Sequence, residues 1–136
     1  MIYFNYNDGK AECIIRNKNN VFVGEAYCHP KDDDFKSERV GLCIAEARAY
    51  IKQLCHKRDN ILLPQLQILN HLYDNISRSK NFEPKSYEAK MIRSQIKAIE
   101  KNLATINTEI QDERHFLKEY IDGKENFYQR IRAKNQ

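Results

Sequence analysis

The chain has 136 residues, of which 41% are hydrophobic and 31% charged. This length corresponds to a single domain, residues 1–136, and the apolar fraction excludes a disordered chain. The 23 basic and 19 acidic side chains leave a net charge of +4, which is too small to predict a nucleic-acid-binding surface.

The start of the chain and its cysteines indicate the compartment. No apolar segment approaches the ~20 residues of a membrane span, and residues 1–4 lack the basic region of a signal peptide. The sequence therefore predicts a cytoplasmic protein without membrane contacts. Its four cysteines are expected to be buried thiols: Cys13, Cys28, Cys43 and Cys55. A zinc site built from Cys28-His29 and Cys55-His56 is the disfavoured alternative, because adjacent residues project in different directions.

Three strands are predicted first, over residues 1–6, 10–16 and 21–27. In the second strand Ala11, Cys13 and Ile15 fall on one side and Glu12, Ile14 and Arg16 on the other, which is the period of two typical of a half-buried strand. The first turn, Asn7-Asp8-Gly9, contains residues that tolerate positive φ. The pattern predicts a three-stranded antiparallel meander.

A helix follows the meander. Pro30 and the run Asp32-Asp33-Asp34 exclude a fourth strand, and Ser37 is the predicted N-cap. The three carboxylates are expected to face the positive end of the helix, with a divalent cation site as the alternative. One apolar stripe is expected to cover the sheet: Val40, Cys43, Ile44, Ala47, Ile51 and Leu54. Residues 1–58 would then form a β-β-β-α unit.

Residues 59–122 are predicted to form a helical hairpin, which makes the fold class α+β. Pro64 is acceptable in the first turn of its helix, a break spans residues 77–86, and Ser86 caps the second helix. That helix carries a seam with four-three spacing: Ile92, Ile96, Ile99, Leu103, Ile106, Ile110, Glu113, Leu117 and Tyr120. Asp122-Gly123 is predicted to end it, leaving residues 123–136 as a C-terminal tail.

The length of this last helix predicts self-association. Residues 86–121 would span about 54 Å at 1.5 Å per residue. A compact chain of this size is only ~35 to 40 Å across. The overhanging apolar seam is therefore expected to pair with a second copy, giving a dimer or a multiple of dimers. A helix broken near Asn107 is the alternative.

The sequence predicts neither an enzyme nor a bound metal or cofactor. It contains no Gly-x-Gly-x-x-Gly, no Gly-x-Ser-x-Gly and no His-Glu-x-x-His. Basic and aromatic residues instead gather in residues 77–87, near residues 114–116, and in residues 127–130. Such groups can bind nucleotides, because bases stack on aromatic rings and phosphates accept hydrogen bonds from Arg and Lys. Packing and solubility are the ordinary alternatives.

One stretch of the chain resembles a segment found in many small phage and mobile-element proteins. It comprises Gly24-Glu25-Ala26-Tyr27-Cys28-His29-Pro30-Lys31-Asp32-Asp33-Asp34-Phe35, then Gly41 and Ile44-Ala45-Glu46-Ala47-Arg48-Ala49. With a β-rich unit followed by a long helical pair, the organisation resembles phage-encoded anti-Thoeris sponge proteins. Those proteins sequester cyclic ADP-ribose signals made by bacterial defence systems.

The resemblance implies a non-catalytic homo-oligomer in the host bacterial cytoplasm. It would hold a cyclic ADP-ribose isomer in pockets between protomers. Cyclic oligonucleotides are a further expected ligand class, at separate sites. The expected ligand-binding residues follow from side-chain chemistry and not from an alignment with the family: Arg39, Asn81, Phe82, Arg114 and Phe116. In this scheme Phe82 stacks on the base, Arg39 and Arg114 bind the pyrophosphate, and Asn81 contacts an edge.

Two other hypotheses belong to different classes. The chain could be a protein-binding inhibitor, such as an anti-CRISPR protein or a coiled-coil adaptor, whose long helix pairs with a host factor. Nucleic-acid binding by Arg130, Arg132 and Lys134 is less favoured, given the small net charge.

Overall fold

The computed structural model describes residues 1–27 and 38–134, with side chains up to residue 123. Three strands precede three α-helices, which confirms the predicted α+β class. The elements are β1 (Ile2–Asn7), β2 (Lys10–Asn17), β3 (Asn20–Tyr27), α1 (Glu38–Lys57), a π-helical turn (Arg58–Leu62), α2 (Leu63–Ser77) and α3 (Tyr87–Lys134). The predicted N-cap Ser37, the acidic run and Cys28-His29 lie outside the described residues.

Two compact units make up the chain. The first contains residues 1–53 together with residues from 110 onward, and the second contains residues 54–109. The sequence predicts a single domain, in which the β-β-β-α unit ends at residue 58 and the helical hairpin begins at residue 59.

The sheet of the first unit is the predicted meander, with strand order β1-β2-β3 and antiparallel pairing throughout. Asp8 and Gly9 both adopt positive φ, 49° and 85°, so the first hairpin has the two-residue turn that its sequence predicts. On β2, Ala11 and Cys13 are fully buried and Ile15 nearly so, which confirms the period of two.

Helix α1 covers one face of this sheet, and the predicted stripe is only partly correct, since Ile44 packs against the core. Ala45 and Ala49 are fully buried in the core, whereas Cys43 is exposed. The helix lies so close to β3 that a Cβ on Gly24 would collide with the backbone oxygen of Ala45. Large apolar residues at this contact would hold the helix away, and therefore small residues face the sheet.

The chain remains helical between α1 and α2. A π-helical turn joins them, and the residues flanking it keep right-handed helical angles. Pro64 lacks the N–H that would bond to the oxygen of Asn60, and its ring would clash there, so the wider turn precedes the proline. Arg58 in this turn donates to Asp59 at 2.8 Å and to Asn107 of α3 at 3.3 Å.

Helices α2 and α3 form the predicted hairpin of the second unit. Ser86 caps α3, since its hydroxyl accepts a hydrogen bond from the N–H of Ala89 at 3.2 Å. The predicted end of α3 at Asp122-Gly123 is wrong, because the helix continues to Lys134. Glycine only permits a helix to end. Inside a helix it costs about 1 kcal/mol relative to alanine, and tertiary structure readily outweighs that cost.

The seam of α3 is already covered in a single chain. Leu103 and Ile106 of the second unit are 9% and 5% exposed, and Ile110 of the first unit is 1% exposed. The helix is also continuous at Asn107, so the alternative of a break there is wrong. The central part of the seam is therefore not free to pair with a second copy, and the reason given for self-association through it is wrong. The homo-oligomer itself stays a prediction.

Candidate functional site

Arg39, a predicted phosphate contact, lies on α1 in the first unit. It lines a groove of ≈ 490 Å³ together with Phe4, Glu38, Leu42, Cys43 and Glu46. Two carboxylates thus accompany the single guanidinium. The described lining of this groove therefore lacks the excess positive charge that would favour a pyrophosphate.

Arg114 and Phe116 lie on α3, also in the first unit. Phe116 is 53% exposed and stacks on Tyr120, with ring centroids 5.8 Å apart and an angle of 27° between the planes. Arg114 precedes Phe116 by two residues, which is about 200° around a helix. The two side chains therefore leave α3 on different sides. Within one copy of α3, the aromatic surface and this guanidinium do not form one pocket.

Asn81 and Phe82 lie in the connection between α2 and α3, in the second unit. The Phe82 N–H donates to the oxygen of Ser79 at 3.1 Å, which makes the connection a tight turn. The Phe82 ring meets the Tyr73 ring edge to face at 6.0 Å. Phe82 is half-buried by this packing, while Asn81 stays exposed.

Arg93 is the residue that organises this connection. Its guanidinium donates to the hydroxyl of Tyr73 at 3.0 Å and to the oxygen of Pro84 at 2.6 Å. It also lies 5.8 Å from the centroid of the Tyr73 ring. Nothing in the sequence singles out Arg93, because it is one of many basic residues beside the seam.

An apolar groove runs between α2 and α3 in the second unit. It has a volume of ≈ 410 Å³ and is lined by Gln65, Ile68, Leu69, Gln95, Ala98 and Ile99. Helix α2 has no buried residue, and its Ile68 and Leu72 are 68% and 44% exposed. Four residues separate Ile68 from Leu72, so both lie on one helix face. None of the predicted ligand contacts lies on this face.

Lys10, Glu12 and Glu25 form a charge cluster on the sheet face away from α1. Lys10 lies 3.6 Å from Glu25 and 3.8 Å from Glu12, and Tyr27 donates to Glu25 at 2.9 Å. The hydrogen bond from Tyr27 and then the charge of Lys10 hold the pKa of Glu25 below its ordinary value. Glu25 in turn raises the pKa of Lys10. No unbalanced positive charge remains in this cluster to attract an anion.

The cysteines differ in environment. Burial, and then the charge of Glu46, raise the pKa of the Cys13 thiol, so Cys13 stays protonated at neutral pH. Cys55 is partly buried, and the neighbouring His56 shares a hydrogen bond of 3.0 Å with Asn60. Within the described part of the chain, no three His, Cys, Asp or Glu side chains gather as a metal site would require.

The described residues place the predicted ligand contacts in both units. Arg39, Arg114 and Phe116 belong to the first, and Asn81 and Phe82 belong to the second. No described helix combines the length and apolarity needed to cross a bilayer. No protein family, curated protein or solved structure matches the chain.

Proposed function

We propose that this chain is a non-catalytic binding protein that sequesters a cyclic ADP-ribose isomer and releases it intact. Capture of that signal would block Thoeris immunity in the host bacterial cytoplasm, as the resemblance implies. Cyclic oligonucleotides are a second ligand class for the same protein. The fold supports the proposal, because an antiparallel sheet followed by long helices is the organisation on which the resemblance rests.

The exposed aromatic pair on α3 is the observation that carries the proposal. Adenine needs a flat apolar surface, and Phe116 offers a half-exposed ring whose orientation is fixed by stacking on Tyr120. Fixing a ring in advance lowers the entropy lost when a base binds to it. Of the predicted contacts, Phe116 is the aromatic residue with the more accessible ring, since Phe82 packs on Tyr73.

The phosphate contacts favour a homo-oligomeric binding site. Arg114 and Phe116 leave α3 on different sides. A ligand that contacts both an aromatic ring and a guanidinium would therefore contact the ring of one protomer and the guanidinium of a second copy. This arrangement is compatible with the pockets between protomers that the resemblance implies. Each such pocket would combine the aromatic ring of one protomer with basic side chains of its partner.

Ligand binding tests the proposal directly. We expect cyclic ADP-ribose isomers to raise the melting temperature of the protein, and heating the complex to release the ligand unchanged. Phe116→Ala should raise the dissociation constant about 10- to 100-fold, because one stacked base is worth about 1–3 kcal/mol. Isothermal titration calorimetry gives the constants, and mass spectrometry identifies the released ligand.

Tyr87→Ala is the matched control, since Tyr87 is 78% exposed and lies outside the proposed contacts. It should bind the ligand as the wild-type protein does. Two results would contradict the proposal: the absence of a thermal shift with every isomer tested, or unchanged affinity in Phe116→Ala. Recovery of a hydrolysed ligand would show an enzyme instead.

The groove between α2 and α3 favours a second candidate function, inhibition of a host protein. Its apolar lining and uncharged rim residues Gln65 and Gln95 fit an amphipathic helix whose apolar face is flanked by uncharged polar residues. Ile68→Glu should then abolish recovery of a host protein from bacterial lysate, while Gln67→Glu, an exposed neighbour, should retain it. Recovery of the protein alone by the wild type would exclude this candidate.

A further inference from the structure

The two edges of the sheet differ in the state of their backbone groups. At the β3 edge, two carbonyls already accept hydrogen bonds from α1. Arg48 donates to the oxygen of Glu25 at 2.6 Å, and Lys52 donates to the oxygen of Val23 at 2.6 Å. These long cationic side chains occupy part of the β3 edge, and such cover disfavours the pairing of another strand there.

Among the described residues, no strand pairs with the outer edge of β1. Met1 and Arg16 exchange both backbone hydrogen bonds, at 2.8 and 2.9 Å. Pairs along an antiparallel ladder alternate, so Tyr3, Asn5 and Asn7 also bond to β2. The N–H and C=O groups of the even residues consequently point away from β2. These residues are Ile2, Phe4 and Tyr6, and no described strand lies on that side.

The side chains of β1 suit a pairing strand. Residues 2–7 contain no charge and no proline, which are the usual means of protecting an edge. Ile2, Tyr3 and Phe4 are 53%, 45% and 49% exposed. The register pairs Ile2 with Ile15 and Phe4 with Cys13, so both lie on the face that α1 covers over β2 and β3. Beside Phe4 the apolar surface continues to Leu42 in the groove described above.

We propose that the open edge of β1 is a homotypic interaction surface, which pairs antiparallel with β1 of a second copy around a two-fold axis at Phe4. In this register Phe4 exchanges both backbone bonds with Phe4 of its twin, and Ile2 does so with Tyr6. A strand without charges fits its own copy, because a charged residue near a two-fold axis would face its equivalent.

The covered β3 edge explains why such an assembly would stop at two chains. Pairing through β1 joins two three-stranded sheets into one of six strands, whose outer edges are both β3. Arg48 and Lys52 cover those edges in each copy. Growth therefore ends at two chains instead of continuing into a fibre. This inference goes beyond the proposed function, and it holds whether or not a nucleotide is bound.

Charge substitution at Phe4 tests both the surface and its register. Phe4→Glu and Phe4→Lys each place like charges opposite one another in the homodimer, so each should raise the dimer dissociation constant at least about tenfold. An equimolar mixture of the two variants pairs opposite charges and should restore the dimer at low salt. Sedimentation velocity on the full chain measures the mass, and circular dichroism checks that each variant folds.

Asn5→Lys is the matched control. Its side chain lies on the other sheet face, opposite Glu12 of its own chain, and in the dimer it faces Tyr3 of the twin. It should remain dimeric. Phe4→Pro gives a second test that adds no charge. Proline removes the N–H that Phe4 points away from β2, but it removes no hydrogen bond between β1 and β2. It should yield a folded monomer, whereas Phe4→Ala should still dimerise.

Four results would overturn the proposal: a monomeric wild-type protein, a dimeric Phe4→Glu, a dimeric Phe4→Pro, or folded Phe4→Glu and Phe4→Lys that stay monomeric when mixed. Loss of nucleotide binding with an unchanged dimer would overturn only the proposed function. The two proposals can therefore fail separately.

Discussion

Gly24→Ala is expected to destabilise the first unit by about 2–4 kcal/mol, although it adds a single methyl group. The new Cβ would collide with the backbone oxygen of Ala45 and lie 2.5 Å from the amide nitrogen of Ala49. Both are backbone atoms of α1, so no change of side-chain rotamer relieves the clash. The helix has to move off β3, which loosens the contact of Ala45 and Ala49 with the sheet core.

Urea denaturation followed by circular dichroism measures this loss, and Gly123→Ala provides the matched control. An added Cβ at Gly123 meets no atom within 4 Å, and the residue lies inside α3. Alanine there should stabilise the protein by about 0.5–1 kcal/mol, because it favours the helix. Equal stability of Gly24→Ala and the wild type would show that α1 does not rest on β3 as described.

The sequence predicted the sheet well because its signals are local. Alternation on β2, the Asp8-Gly9 turn and the Ser86 cap each depend on a few adjacent residues, and all three are confirmed. The face of α1 depends on a distant residue, Gly24, whose missing side chain admits the helix backbone. Hydrophobic periodicity gives weight to large residues. It therefore selected Cys43 and missed the two alanines that contact the sheet.

The candidate surfaces were harder to predict for a related reason. The closing of the β3 edge by Arg48 and Lys52 requires a helix to lie beside that strand. The role of Arg93 requires Tyr73 and Pro84 to meet in three dimensions. In the sequence, Arg48, Lys52 and Arg93 resemble any other exposed basic residue. Composition therefore does not reveal either of these arrangements.

The seam of α3 shows how a correct pattern can lead to a wrong consequence. Its four-three spacing indicates a helix with one buried face, and Leu103 and Ile106 are indeed buried. The step to a second copy assumed that the rest of the chain was too short to cover them. Within the second unit the chain stays helical from Leu54 to Ser77, with only a π-helical turn between α1 and α2, so more helix is present there than the pattern of residues 62–76 suggested.

Ile106→Glu is therefore expected to unfold the second unit instead of dissociating an oligomer. A carboxylate at a position that is 5% exposed would lie unpaired among apolar side chains, at a cost of about 3–5 kcal/mol. We expect loss of helical signal at every protein concentration, because the residue is buried within one chain. Circular dichroism over a dilution series, combined with light scattering, measures this.

Asn102→Glu is the control for the added charge, since Asn102 is an exposed residue of the same helix. It should keep the stability and mass of the wild type. A folded Ile106→Glu protein of reduced mass would be the opposite outcome, and it would return the seam to its first interpretation as the contact between copies. With the seam closed within one chain, the β1 edge remains the surface that we propose for contact between two copies.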